Sequence, residues 1–328
     1  MIYFDKKPNS DFVVLNLTDT QLTDCDWHED NFICKSVKYT SKELVDRIKP
    51  DLITLSGDYS YSGQSFSFKK SVELFDSFRI PWAFVWGNHD QQDGGKFIVE
   101  EAEKVMTSGK YCIYEVGDLT LGRGNYVIGI KQGERAVSAL IMVDTHEMED
   151  YVLPDGTIKN SWSKWTDKQK DWYKCVVAEL KKQGYRDSTV ISHIPIYAYK
   201  QAYEEAFFNG EWGHVRAVSL SESYGDHCWK DGYKDSFGVK YEGYGCPPVD
   251  DGMIDLISGL GHTKNYIAGH DHINNYSIVY KGVRLTYATK TGAGCYWDSG
   301  LNGGTVITIG GDGVKSIRHE MVDCTAIK

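Results

Sequence analysis

The sequence predicts one α/β domain carrying a cap-like insertion. Three observations lead there. Compact apolar runs alternate with segments of helical spacing in the N-terminal part. The C-terminal part passes through short strands separated by Gly-rich turns. No repeat, low-complexity tract or linker divides the 328 residues, a length that one large domain accommodates.

Phe12 to Leu17 (FVVLNL) is an apolar strand that ends at Asp19. Lys42 to Ile48 has apolar residues at helical spacing, and Pro50 stops that helix. Asp51 to Leu55 (DLITL) is the second strand, ending at Gly57-Asp58. Ser71 to Phe78 repeats the helix and Pro81 to Trp86 the strand, which ends at Gly87-Asn88-His89. This alternation implies a largely parallel sheet with right-handed crossovers. Functional groups gather at the carboxyl ends of strands in such sheets.

The middle of the chain reads as more antiparallel. Tyr111 to Val116, Asn125 to Ile130 and Ala139 to Val143 are predicted strands, with Gly122-Arg123-Gly124 as a turn. Thr166 to Lys181 is an amphipathic helix with Thr166 as N-cap. Thr189 to Ser192 is a strand ending at His193. Residues 197–250 mix Tyr, Trp, Phe, Gly and charge without a period. A long stretch of this kind is usually functional, and it is read as an insertion over the active face. Met253 to Leu260 returns to helix, and Asn265 to Ala268 is a strand ending at Gly269. The tail (YSIVY, VRLTYAT, GTVITI, KSIRHEMV) supplies the remaining strands.

Hydrophobic content of 41% and charge of 25% are those of a soluble globular protein. With 36 basic and 46 acidic residues the net charge is −10, which argues against a nucleic-acid backbone as partner. A metal centre still attracts phosphate locally, whatever the net charge. No run approaches the ~20 apolar residues of a membrane span, and the N-terminus lacks signal-peptide architecture. A cytoplasmic protein is therefore expected. The eight cysteines form no CxxC pair, so buried free thiols are expected rather than a zinc ribbon or a disulfide framework.

Chemistry enters through short motifs at the strand ends: Asp19-Thr20-Gln21, Gly57-Asp58, Gly87-Asn88-His89-Asp90, His193 and Gly269-His270-Asp271-His272. Singly they mean little, since a carboxylate after a strand is by default a helix cap. Together they supply carboxylate, amide and imidazole ligands of the hard-to-borderline type. Two divalent ions ~3.5–4 Å apart can clamp a phosphoryl group and generate a hydroxide nucleophile.

This ordered series resembles the calcineurin-like metallophosphoesterases, from residue 12 to about residue 310. GHDHINNYSIVYKGVRLTYATKTG looks closer to the purple-acid-phosphatase-like branch than to the Ser/Thr protein phosphatases, whose GDxVDRG signature is absent. The resemblance implies a four-layer α/β/β/α sandwich, two mixed sheets flanked by helices. It implies two divalent or mixed-valence ions, with Mn, Fe and Zn as candidates. Asp58 would bridge them. Asp19, His272 and Gln21 would complete one shell, and Asn88, His193 and His270 the other. His89 would protonate the leaving group, and Asp90 would hold its tautomer.

Two positions depart from the family pattern. Gln21 stands where most relatives carry His, and is either a weak ligand or a hydrogen-bond partner of a bound water. Gly57-Asp58-x-x-Tyr61 resembles the purple enzymes' tyrosinate motif, yet those enzymes carry Gly at the Gln21 position. Tyr61 is thus a ligand or a coincidence among 22 tyrosines. Other residues read as bystanders. Asp144 and His146 are expected at the rim, His262 at the surface, and Cys25, His28 and Asp30 in a solvated loop. His214 and His227 fall in the insertion. The sequon at Asn16 lies in a predicted core strand and is discounted; Asn275 begins the other.

The expected activity is hydrolysis of phosphate monoesters of small molecules, by in-line attack of a metal-bound hydroxide with His89 as general acid. A phosphodiesterase acting on nucleotide or phospholipid-type diesters is the alternative, because no arginine lies beside any motif. Arg216 or Lys200 in the insertion could supply that contact. A catalytically silent metal-binding scaffold is the third reading.

Overall fold

The computed structural model describes residues 1–61, 63, 65–91, 99–153, 155–207 and 229–327. The chain begins with β1 (Ile2–Asp5), β2 (Phe12–Leu17), α1 (Phe32–Ile48), β3 (Leu52–Ser56), α2 (Ser65–Ser77) and β4 (Trp82–Val85). The one-turn α3 (Asn88–Gln91), α4 (Val99–Met106), β5 (Tyr126–Gln132), β6 (Arg135–Met142), β7 (Met148–Val152) and β8 (Ile158–Trp162) follow. Then come α5 (Asp167–Lys182), β9 (Asp187–Ser192), α6 (Ala198–Ala206), α7 (Met253–Leu260) and β10 (Thr263–Ala268). β11 (Ser277–Tyr280), β12 (Val283–Tyr287), β13 (Gly303–Gly310) and β14 (Gly313–Met321) complete the chain.

Two mixed sheets result. One has the order β14-β13-β2-β3-β4, the other β1-β5-β6-β9-β10-β12-β11, and β7-β8 is a separate ribbon. The two-residue period of each strand sorts its side chains between layers. Phe12, Val14, Leu52 and Val85 face Ile128, Leu140, Ile191 and Ile267 in the core between the sheets. Leu15, Leu17, Ile53 and Leu55 face the other way, packing with Leu44 of α1, Phe68 and Phe75 of α2 and Met106 of α4. On the far side, Ile141, Val190 and Tyr266 pack under Tyr173 and Val177 of α5, Tyr199 of α6 and Ile257 of α7. The order helix, sheet, sheet, helix is the expected four-layer sandwich.

Several elements differ from expectation. α1 begins at Phe32 instead of Lys42, with the Asn31 side chain accepting from Ile33 N at 2.7 Å. Its early turns bury small polar residues such as Ser36 and Thr40, so they carry no apolar period. Tyr111 to Val116 is not a strand; it makes one bridge, Cys112 to Trp82, before Tyr114 turns to stack on Phe84. The segment read as an insertion starts with α6, whose Tyr199 and Ala202 belong to the core. Its middle, with His214, Arg216 and His227, lies outside the described residues. Among the described residues the cysteines are free. His262 is buried, not at the surface. Its Nδ1 meets the Ser188 hydroxyl at 3.0 Å and its Nε2 the Tyr185 carbonyl at 3.2 Å, which ties β9 to the start of β10. Asn16 and Asn275 are both buried. At the helix start, the Thr166 cap is a full capping box with Gln169.

Candidate metal centre

β2, β3 and β4 run parallel, as do β9 and β10. Their carboxyl ends therefore open on one edge, where the two sheets meet. Four of the candidate ligands leave their strands with left-handed backbone: Asp19 at φ 55°, Gln21 at 40°, Asp58 at 54° and His270 at 80°. Non-glycine residues adopt this conformation rarely, and such strain clusters at functional sites. Hydrogen bonds across the strand ends hold it: Asp19 N to Gly57 O at 3.1 Å, Gln21 N to Asp58 O at 2.9 Å, and His270 N to Asp19 Oδ2 at 3.0 Å.

Asp58 is at the middle of the cluster and fully buried. Its Oδ1 accepts from His89 N at 2.9 Å, and its Oδ2 from Gln21 Nε2 at 2.7 Å. His193 Nε2 is 3.3 Å from Asp58 Oδ2 and 3.0 Å from Asn88 Oδ1. His270 Nδ1 is 3.3 Å from His193 Nε2. One ligand atom each from Asp58, His193 and His270 lie within 4.8 Å of one another. On the other side, His272 Nε2 approaches Asp19 Oδ1 at 3.5 Å. The backbone is packed just as tightly. A Cβ on Gly87 would lie 2.0 Å from Asp58 Oδ1, and one on Gly57 would lie 2.5 Å from His193 Nδ1.

Two of the imidazoles have Nδ1 against a backbone carbonyl. His193 Nδ1 faces the Ser56 carbonyl at 2.8 Å and His272 Nδ1 the Tyr296 carbonyl at 2.7 Å. A ring that donates through Nδ1 keeps the Nε2 lone pair free for a metal. Burial disfavours a charged His193, yet the Asp58 and Asp19 carboxylates raise it to about 10. Burial, together with the positive charge on His193, lowers His270 to about 3.

The donor set fits a pair of metal ions. Asp19 Oδ1 and Gln21 Oε1 are buried acceptors without a hydrogen-bond partner among the described residues. Acceptors buried in this way are costly unless something binds them. Carboxylate, amide oxygen and imidazole are the ligand types such ions take.

Asp90 does not do what the sequence led us to expect. Its carboxylate accepts from Asp58 N at 2.7 Å, Ser60 N at 2.9 Å and Gly87 N at 3.0 Å, and not from the His89 ring. It ties the β3 and β4 loops together. The Tyr61 ring stacks on His89 with centroids 4.7 Å apart.

The cluster opens into a cavity of about 320 Å³. Gln21, Asp58, His89, His270 and His272 line its floor. Sequence reasoning missed the walls: Trp162, Glu242, Tyr244 and Tyr296. Trp162 meets the His270 ring edge-on at 4.3 Å and Tyr296 stacks on His272 at 4.0 Å. Lys290 was missed as well; buried under the floor, it donates to the Asp19 carbonyl. The only available signal was the Gly-rich turn before Tyr296, where a Cβ on Gly294 would lie 2.1 Å from the Thr20 carbonyl. The bystanders stay apart. Asp144 accepts from Arg123 N at 2.9 Å and His146 N at 2.9 Å, while Cys25, His28 and Asp30 are exposed.

Comparison with known proteins agrees with this geometry. The family model for calcineurin-like phosphoesterases matches residues 13–274. Phosphatase DCR2 of Saccharomyces cerevisiae is 26% identical over 290 residues, covering 81% of this chain and 45% of that protein. Probable inactive purple acid phosphatase 14 of Arabidopsis thaliana is 24% identical over 289 residues, covering 79% of this chain and 63% of that protein. The chain thus spans about half to two thirds of the length of these relatives. A dimetal phosphatase from Danio rerio has the same fold, with a TM-score of 0.55 at 10% identity, covering 95% of this chain and 99% of that one.

Proposed function

Since the chain belongs to the calcineurin-like phosphoesterase family, we propose that it hydrolyses phosphate monoesters of small molecules at a dinuclear metal centre. The observation that carries this reading is the convergence on Asp58 of Gln21, His193 and His89, beside the unpartnered acceptors of Asp19 and Gln21. Asp58 would be shared between two ions. Asp19, Gln21 and His272 would hold one, and Asn88, His193 and His270 the other. When bound, the ions supply a Lewis-acid clamp on the phosphoryl oxygens and make water a nucleophile at neutral pH.

The remaining steps belong to the chain. His89 lines the cavity beside Asp58, where its ring would give a proton to the departing alcohol oxygen. Tyr61 stacks on that ring and would help to orient it. Asp90 keeps the Asp58 and Asn88 loops in register. Trp162 and Tyr296 cover His270 and His272 and limit water on that side.

A diester reading has one observation in its favour: no lysine or arginine lines the cavity among the described residues. A monoester dianion carries one more charge than a diester. Parallel assays on 4-nitrophenyl phosphate and bis(4-nitrophenyl) phosphate decide between them. Monoester preference supports the proposal, and a higher kcat/KM on the bis ester replaces it. A relative with an inactive name raises a silent scaffold as a third reading, against which the chain retains His89. Replacing His89 by Ala should keep the metals and lower kcat by about 10²–10⁴-fold.

A further inference from the structure

The wall of the cavity beside the candidate metal ligands has a composition that the reaction itself does not require. Glu242, Trp162, Tyr244 and Tyr296 all line it. The Glu242 carboxylate is fixed on both oxygens. Its Oε1 accepts from Ile273 N at 2.8 Å and its Oε2 from the Tyr296 hydroxyl at 2.7 Å. Both donors are neutral, so they hold the carboxylate in place without cancelling its charge. The nearby Lys240 stands over the Tyr244 ring at 4.4 Å and does not line the cavity.

A fixed carboxylate on this wall has a consequence for what can enter. A substrate that fills the cavity strips water from Glu242, which is costly unless the substrate answers the charge. The phosphoryl group cannot, being an anion drawn to the metal side. The answer must come from the leaving group. Aromatic faces around a carboxylate are the surroundings that favour an organic cation, through the ring quadrupoles and the opposite charge together. A volume of about 320 Å³ suits a small leaving group.

We propose that Glu242, Trp162, Tyr244 and Tyr296 form a subsite for a cationic leaving group, so that the substrates are phosphate monoesters of amino or quaternary-ammonium alcohols. This rests on the phosphoesterase reading above. In the reaction, water adds its oxygen to phosphorus and the bond from phosphorus to the alcohol oxygen breaks. His89 passes a proton to that oxygen, leaving inorganic phosphate and the free ammonium alcohol.

Two measurements on the metal-loaded protein test the subsite. The first compares kcat/KM for phosphocholine and for 3,3-dimethylbutyl phosphate, its neutral isostere. Phosphocholine should be preferred by about tenfold, and Glu242→Gln should bring the ratio close to one. A ratio within one enzyme cancels any general loss of activity. The second is calorimetric titration with choline and with 3,3-dimethylbutanol, which needs no turnover. Choline should bind more tightly, and Glu242→Gln or Trp162→Leu should remove the difference. Equal binding of the two, or a ratio unmoved by Glu242→Gln, overturns the subsite. Choline binding without turnover of any ester keeps the subsite and overturns the phosphoesterase reading.

Discussion

The Tyr61 ring lies over the His89 imidazole with centroids 4.7 Å apart and planes 27° apart. The stack is one contact on the proposed general acid, whereas the Asp90 carboxylate is spent on backbone amides. Tyr61→Phe keeps the ring, and kcat should stay within about threefold of wild type. Tyr61→Ala removes the stacked ring, and kcat should fall about tenfold, a part of what a general acid contributes. Steady-state kinetics on an aryl phosphate read both. A visible charge-transfer band lost in Tyr61→Phe would instead make Tyr61 an iron ligand.

Gln21 joins the two halves of the centre. Its Nε2 donates to Asp58 at 2.7 Å while its Oε1 is buried without a partner among the described residues. Gln21→Ala removes both functions. Metal titration should show one of the two ions bound about 10–100-fold more weakly, the range found when a residue supporting a ligand is lost. Unchanged affinity for both ions would place Gln21 outside the metal shells.

His319 makes stability depend on pH. Its Nε2 donates to the Asn275 carbonyl at 2.6 Å, its Nδ1 meets the Thr305 hydroxyl at 3.1 Å, and Phe237 lies against its ring. Burial lowers its pKa to about 4, with the Asn275 carbonyl working weakly in the other direction. The unfolded chain, with an ordinary histidine pKa of about 6.5, takes up a proton first as the pH falls. The His319 contribution is therefore complete above about pH 6.5 and shrinks between there and about pH 4. Urea midpoints of wild type and His319→Gln should lie furthest apart at pH 7.5 and draw together at pH 5. A gap that is the same at both values contradicts this.

The floor of the site was legible because each candidate ligand follows an apolar strand, and the parallel strands bring those ends to one edge. Asp19, Asp58, Asn88, His193, His270 and His272 were all read that way. The walls were not legible. Trp162 ends a ribbon whose exposed Val152 and Ile158 give no buried face. Glu242 and Tyr296 come from loops far apart in the sequence, joined by a hydrogen bond that no pattern announces. The role of Asp90 was misread because it was carried over from the family resemblance, whereas the one-turn helix points its carboxylate back at the β3 loop. The left-handed turns at Asp19 and Gln21 carry no glycine and gave no signal, whereas Gly57 precedes the one at Asp58. α6 was hidden because its buried face is built from Ala and Tyr.

Asp58 is where the account is most exposed. The most direct measurement is the metal content of purified Asp58→Asn, taken with its turnover of 4-nitrophenyl phosphate. The wild-type chain should hold about two ions, as a dinuclear centre requires. The variant should lose at least one of them, with turnover reduced about 10³-fold or more. A variant that hydrolyses the ester at the wild-type rate would contradict the shared-carboxylate centre and the mechanism built on it.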